Sequence, residues 1–196
     1  EDKNYYFLTF NMDTPSKRIS SYVPNLLGNN YVSDIFNDHI FHELDLTNFI
    51  QSGEKWFGEI FDVDIEQTIP FILPNIDANS DIHIRASVAA RASLPSSFTF
   101  SHNNIDIMSA NLNSVTFSSE TDYASLSTQN GVFQSNSDVL DIDIRYNRQS
   151  SSHKGWLDYI ELSGVRKLIM YGNQMGIRKT VNSIQDQRCS LIIQDI

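Results

Sequence analysis

Residues 81–94 read DIHIRASVAARASL. Ile82, Ile84, Ala86, Val88, Ala90, Ala92 and Leu94 take every second position, with Asp81, His83, Arg85, Ser87, Ala89, Arg91 and Ser93 between them. Successive side chains of a strand point to opposite faces, so this alternation predicts one long strand with a buried face and a wet face. The small alanines predict close approach of the layer packed against it. Downstream, Pro95-Ser96-Ser97 turns the chain, and 97–102 returns with Phe98 and Phe100 on one face.

The same pattern extends outward in both directions. Towards the C-terminus, Ile105 and Ile107 alternate in 104–109, and Val115 and Phe117 in 114–118. Leu140, Ile142, Ile144 and Tyr146 share a face in 139–146, opposite Asp141, Asp143 and Arg145. The run 156–162 (WLDYIEL) is a strand with both faces partly apolar, and 190–196 ends the chain as an apolar strand. Towards the N-terminus, strands are predicted over 5–12, 41–49, 56–62 and 65–72, and Pro70 marks the last as an edge or a bulge. Residues 13–35 carry the weakest signal and read as loop with a short helix around Val32–Phe36. Roughly ten strands separated by Asn, Ser and Gly turns, with little helix, predict an all-β, jelly-roll-like antiparallel β-sandwich forming one domain over 1–196.

Composition agrees. The chain has 196 residues, of which 25 are Ser and 18 Asn, residues that favour turns over helix interiors. At this length a core forms without disulfide staples, and the single Cys189, read as lying in a polar loop, allows no internal disulfide. The formal net charge of −10 argues against a nucleic-acid partner, which needs a basic surface. No apolar run approaches the roughly 18 residues of a membrane helix. The start at Glu1 and the abrupt apolar end lead us to expect a piece of a longer, multidomain protein.

Candidate chemistry is sparse. His39 and His42 have the spacing of metal ligands on a helix, but on a strand they point to opposite faces, and Glu43 and Asp45 beside them do not change that. Asp62, Asp64 and Glu66 would share a strand face and could offer oxygens to calcium, yet the Gly and the terminal Glu of an EF-hand loop are missing. Asp138, Asp141 and Asp143 form an acidic strand beside Arg145, which would pair with the nearer carboxylate. Such spacing fits a glycosidase pair and equally any alternating acidic strand. The histidines at 39, 42, 83, 102 and 153 fall in no dyad motif, and no phosphate loop, dinucleotide fingerprint or nucleophile elbow occurs. Gly172 and Gly176 read as turn or cap glycines. Trp56, Trp156, Tyr123 and Tyr146 are the aromatic platforms on which a sugar could stack, if exposed. No catalytic, cofactor-binding or metal-binding residue is assigned, and no cofactor is expected.

Three segments carry a resemblance. They are Tyr5-Tyr6-Phe7-Leu8 followed by Lys17-Arg18-Ile19; His42-Glu43-Leu44-Asp45 leading through Ser52-Gly53 to Trp56-Phe57-Gly58-Glu59 and Phe61-Asp62; and Trp156-Leu157-Asp158-Tyr159-Ile160-Glu161-Leu162 with Arg166 and Leu168. In order and spacing the chain resembles the region ahead of the peptidase domain in the PorU-type sortases of the type IX secretion system, relatives of the gingipain cysteine peptidases. The segment containing Trp56-Phe57-Gly58-Glu59 is its most specific part.

The resemblance implies a Bacteroidetes protein on the outer face of the outer membrane. Such a protein would process the C-terminal signals of secreted cargo through a Cys–His dyad in a domain after Ile196. No position here matches that dyad, so the chain itself would be a non-catalytic scaffold or docking domain. Its expected partners are the downstream peptidase domain of the same chain and secretion-system components or cargo. The alternative reading is a carbohydrate-binding jelly-roll module of a surface protein.

Overall fold

The computed structural model describes residues 31–49, 53, 55–118, 122–177 and 189–191. In chain order the strands are β1 (Tyr31–Ser33), β2 (Ile35–Glu43), β3 (Ile60–Phe61), β4 (Glu66–Ile72), β5 (Ile82–Arg91), β6 (Ser96–His102), β7 (Ile105–Leu112), β8 (Ser125–Phe133), β9 (Val139–Asn147), β10 (Lys154–Lys167) and β11 (Cys189–Leu191). There is no helix among the described residues.

Two antiparallel sheets face each other. One has the order β2-β10-β5-β8, with β3 also paired to β10; the other has the order β4-β9-β6-β7. From β4 onward nearly every connection carries the chain to the opposite sheet, and only β6 to β7 is a hairpin within one sheet. That alternation makes the sandwich jelly-roll-like. Separately, β1 and β11 pair in parallel.

The core lies where the alternation predicts. Ile82, Ile84, Ala86, Val88 and Ala90 of β5 meet Phe98 and Phe100 of β6 and Leu140, Ile142, Ile144 and Tyr146 of β9. Phe98 stacks on Tyr146 at 4.7 Å and meets the edge of Phe61 at 5.1 Å. Pro70 sits on β4, an edge strand, where its missing N–H costs no ladder bond.

Strand β10 is the spine of the larger sheet. On one side it pairs with β5 from Lys154 to Ser163; on the other it pairs with β2 from Tyr159 to Lys167 and with β3 at Gly155 and Trp156. A register shift between Leu157 and Tyr159 falls where β2 hands over to β3. The chain between β2 and β3 leaves the sheet, bridges Thr47 to Phe57, and folds back over the outer surface. There Phe49 and Phe57 cover Trp156, Ala89 and Ala124 as a second small core. This explains the apolar residues on both faces of 156–162, and why Ala89 is buried although it lies on the expected wet face.

Several expectations are corrected. The helix expected around Val32–Phe36 is strand, because its residues continue into β2. The strand expected at 41–49 ends at Glu43, where the chain departs on its excursion. Residues 114–118 form no strand: Val115 only ties its N–H to the Ala92 carbonyl at 2.7 Å, and Phe117 is 53% exposed. Leu94 lies beyond the end of β5 and Ile105 at the start of β7, and both are exposed. In β7 the buried places fall to Ala110 and Leu112, with Ile107 and Met108 partly buried against the core, after a register shift between Phe100 and Ser101. Cys189 starts β11 rather than lying in a loop. The strand expected at 5–12 and most of the final apolar run lie outside the described residues.

Candidate functional site

The two histidines of β2 face opposite ways, as strand geometry requires. The Nδ1 of His39 lies 3.1 Å from the Ser163 hydroxyl on one face. On the other, Nε2 of His42 lies 2.6 Å from Glu59 Oε1 and ties β2 to the excursion. Asp62 falls in the turn after β3 and binds Lys154 at 2.7 Å and Arg148 at 3.7 Å. Asp64 and Glu66 therefore do not join it on one strand face. No group of three or more potential metal ligands converges among the described residues.

The acidic strand β9 is also committed to structure. Asp138 Oδ1 accepts the Ile76 N–H at 3.1 Å, and Asp143 accepts the Thr68 hydroxyl at 2.6 Å. Asp143 is thus held by Thr68, and the pairing expected with Arg145 does not form. His102 is buried: Nδ1 donates to the Asp141 carbonyl at 2.9 Å, and Nε2 accepts from Ser135 and Asn103. His153 is buried too, with Nε2 accepting the Ser93 N–H at 3.3 Å. These histidines knit loops to strands and face no cleft. Of the four aromatic platforms, Trp156 and Tyr146 are buried, whereas Trp56 and Tyr123 stay about two-fifths exposed, at 42% and 38%.

The segment Trp56-Phe57-Gly58-Glu59 has a structural explanation. Phe57 stacks on Phe49 at 4.2 Å. A Cβ on Gly58 would lie 3.0 Å from the Leu44 Cβ and carbonyl, so glycine is needed where the two arms of the excursion meet. The Gly58 N–H donates to the Leu157 carbonyl, and the Leu157 N–H donates to the Glu59 carbonyl, which prolongs β3 along β10.

The candidate site is the outer face of the larger sheet, beside the excursion. Register places two rows of side chains across four strands there. Ser163 lies opposite His39 on one side and His83 on the other, and His83 lies opposite Val132. In the next row Glu161 lies between Phe41 and Arg85, and Arg85 opposite Asn130. Two recesses of about 350 and 310 Å³ run along these rows and share His83 and Ser163. Phe41 is 66% exposed and overlaps the His39 ring with centroids 6.4 Å apart.

Chemically this face offers hydrogen-bonding side chains on rigid strands. A Ser–His pair is present, but no carboxylate holds the far nitrogen of His39 among the described residues, so the triad of an activated serine is incomplete. Sequence reasoning passes over Arg85, Glu161, Ser163 and Asn130 because each is an ordinary wet-face residue. Only the β2-β10-β5-β8 order brings them side by side.

No family model and no curated protein sequence matches this chain. Among solved structures it is similar to dimeric latent PorU from Porphyromonas gingivalis, with a TM-score of 0.67 and 22% identity over 84% of this chain. The likeness spans 16% of that PorU chain. A weaker likeness, at a TM-score of 0.41 and 10% identity, joins it to a carbohydrate-binding module CBM36 in complex with calcium and xylotriose, over 64% of this chain and 98% of that one. A CBM36-1 domain of a multidomain xylanase from the hindgut metagenome of Trinervitermes trinervoides matches at a TM-score of 0.42 and 5% identity, over 64% of this chain and 96% of that one.

Proposed function

We propose that this chain is a non-catalytic β-sandwich module of a larger, PorU-like cell-surface protein of the type IX secretion system, and that it serves as a docking scaffold for a cysteine peptidase domain. The observation that carries the reading is the likeness of most of this sandwich to a region making up only 16% of the PorU chain. The peptidase chemistry belongs in that picture to a separate domain, in keeping with the structural tasks of His42, His102 and His153 here.

The test uses the natural reading frame that contains this chain. The protein it encodes should carry a peptidase domain and release the C-terminal signal from a reporter cargo. The 196-residue chain alone should release none, and deleting it should abolish processing at the cell surface. Signal release by the isolated chain, or a reading frame without a peptidase domain, overturns the proposal.

A further inference from the structure

We infer that the outer face of the larger sheet, between Phe41 and Asn130, is a binding trough for a short, neutral oligosaccharide. The inference stands apart from the docking role, since a module can anchor a peptidase by one surface and hold a glycan on another.

The argument begins with unused hydrogen-bonding capacity. Arg85 and Glu161 are register partners on neighbouring strands, where an ion pair would be expected, yet they form none with each other among the described residues. Arg85 keeps a planar fork of donors and Glu161 a pair of acceptors, both facing the recess. Such planar groups can engage two adjacent hydroxyls of a sugar ring at once, in the geometry by which they bind other bidentate partners. Asn130 extends the row, and His83 of the neighbouring row lines the same recess, each with a donor and an acceptor.

An apolar platform completes the pattern. Phe41 projects from the edge strand, two-thirds exposed, at the end of the Glu161–Arg85–Asn130 row. A ring there offers its face to the C–H face of a sugar while the polar row takes the hydroxyls. Binding sites characteristically combine apolar contact with a few well-placed polar groups. Four strands about 4.8 Å apart set the row's length at roughly 14 Å, which suits a short chain of sugar units rather than one.

Charge decides the class of ligand. Arg85 is balanced by Glu161, and the adjoining recess adds Asp81, so the trough has no excess of positive charge for a polyanion. Nor is there a continuous apolar stripe for an amphipathic helix. The outer face of the smaller sheet provides the contrast. There the recess of about 430 Å³ is lined by residues already engaged in structure, with Thr68 spending its hydroxyl on Asp143.

The experiment is titration calorimetry of the 196-residue chain with neutral hexasaccharides (xylohexaose, cellohexaose, mannohexaose) and with an acidic one, hexagalacturonic acid. At least one neutral hexasaccharide should bind saturably, and Arg85→Ala, Glu161→Ala and Phe41→Ala should each weaken it about tenfold or more, equivalent to about 1.4 kcal/mol. All three residues face solvent or the recess, so their melting temperatures should stay near that of the parent chain. Absence of binding by every neutral hexasaccharide at roughly 10 mM, or binding of the acidic one alone, overturns the inference. So does binding that survives these substitutions and is lost in Trp56→Ala or Tyr123→Ala, which would move the site to the excursion end. Each of these outcomes leaves the peptidase-docking reading untouched.

Discussion

Gly155 of the larger sheet stands against Phe98 and Tyr146 of the smaller one. A Cβ there would lie 2.5 Å from Phe98 Cζ and 3.2 Å from Tyr146 Cδ1. Phe98 is fully buried between Tyr146 and Phe61, so it has no room to yield. Gly155→Ala should therefore destabilise the fold by roughly 1–3 kcal/mol, the cost of overpacking a filled core. Urea unfolding reads this as a lower midpoint at constant slope. Gly176→Ala is the control: nothing lies within 4 Å of the position its methyl group would take, and the change should stay within about 0.5 kcal/mol. Tyr146 supplies a pH signature at the same place. Burial raises its phenol pKa above the usual value near 10, and the hydrogen bond to Ser96 only partly opposes this. The unfolded phenol ionises first as pH rises, so the unfolded state binds fewer protons there. Stability from this group is complete below about pH 10 and is lost as pH climbs through the folded pKa. Tyr146→Phe should flatten that alkaline fall, measured as the difference in unfolding free energy between the two proteins from about pH 9 upward.

Among the elements, the excursion between β2 and β3 adds a second, smaller core to the sheet. Phe49 sits 4.2 Å from Phe57 and 4.6 Å from Trp156, ring centre to ring centre. Phe57→Ala should cost about 3 kcal/mol, at the lower end for a buried aromatic because only one side of the sheet is affected. In a Trp56→Phe background the emission of Trp156 should shift to the red as its cover is lost; unchanged emission would mean that the excursion does not shield it. Strands β5, β6 and β9 are legible in the sequence because most of their inward positions are apolar and most of their outward ones polar. Strand β8 is not. Its inward positions, set by register with Ile82, Ile84, Ala86, Val88 and Ala90, are Phe133, Gly131, Gln129, Ser127 and Ser125, while its exposed Leu126 and Val132 point outward. That pattern is reversed relative to the usual alternation, and an edge position tolerates it. The candidate trough is illegible for a related reason. Its polar residues come from strands far apart in sequence, and only the pairing of β2, β10, β5 and β8 sets them in rows.

Across the whole molecule, one end of the sandwich is closed by a buried ion pair set among apolar side chains. Arg166 of β10 is 5% exposed and turns inward, stacking over Phe36 with its carbon centre 5.2 Å from the ring. Its Nη1 donates to Asp38 of β2 at 2.5 Å, and its Nε donates to the Pro74 carbonyl in the connection leading out of the smaller sheet. The guanidinium thus joins three segments where the sheets meet the β1–β11 pair. Removing one member of a buried pair strands the other, so Asp38→Ala should cost roughly 3–5 kcal/mol. The pair is not therefore the best possible filling. Nη2 of Arg166 is buried without a hydrogen-bond partner among the described residues, which leaves part of its desolvation uncompensated. Replacing both charges by apolar groups of similar length, as in Asp38→Leu with Arg166→Met, should recover most of the loss, because it removes the orphaned charge and keeps the volume filled. Chemical denaturation of the parent, the two single variants and the double variant gives the coupling directly. A double variant as unstable as the sum of the singles would mean that the closure depends on the hydrogen bonds to Asp38 and Pro74 themselves, and that no apolar plug can hold this end of the sandwich.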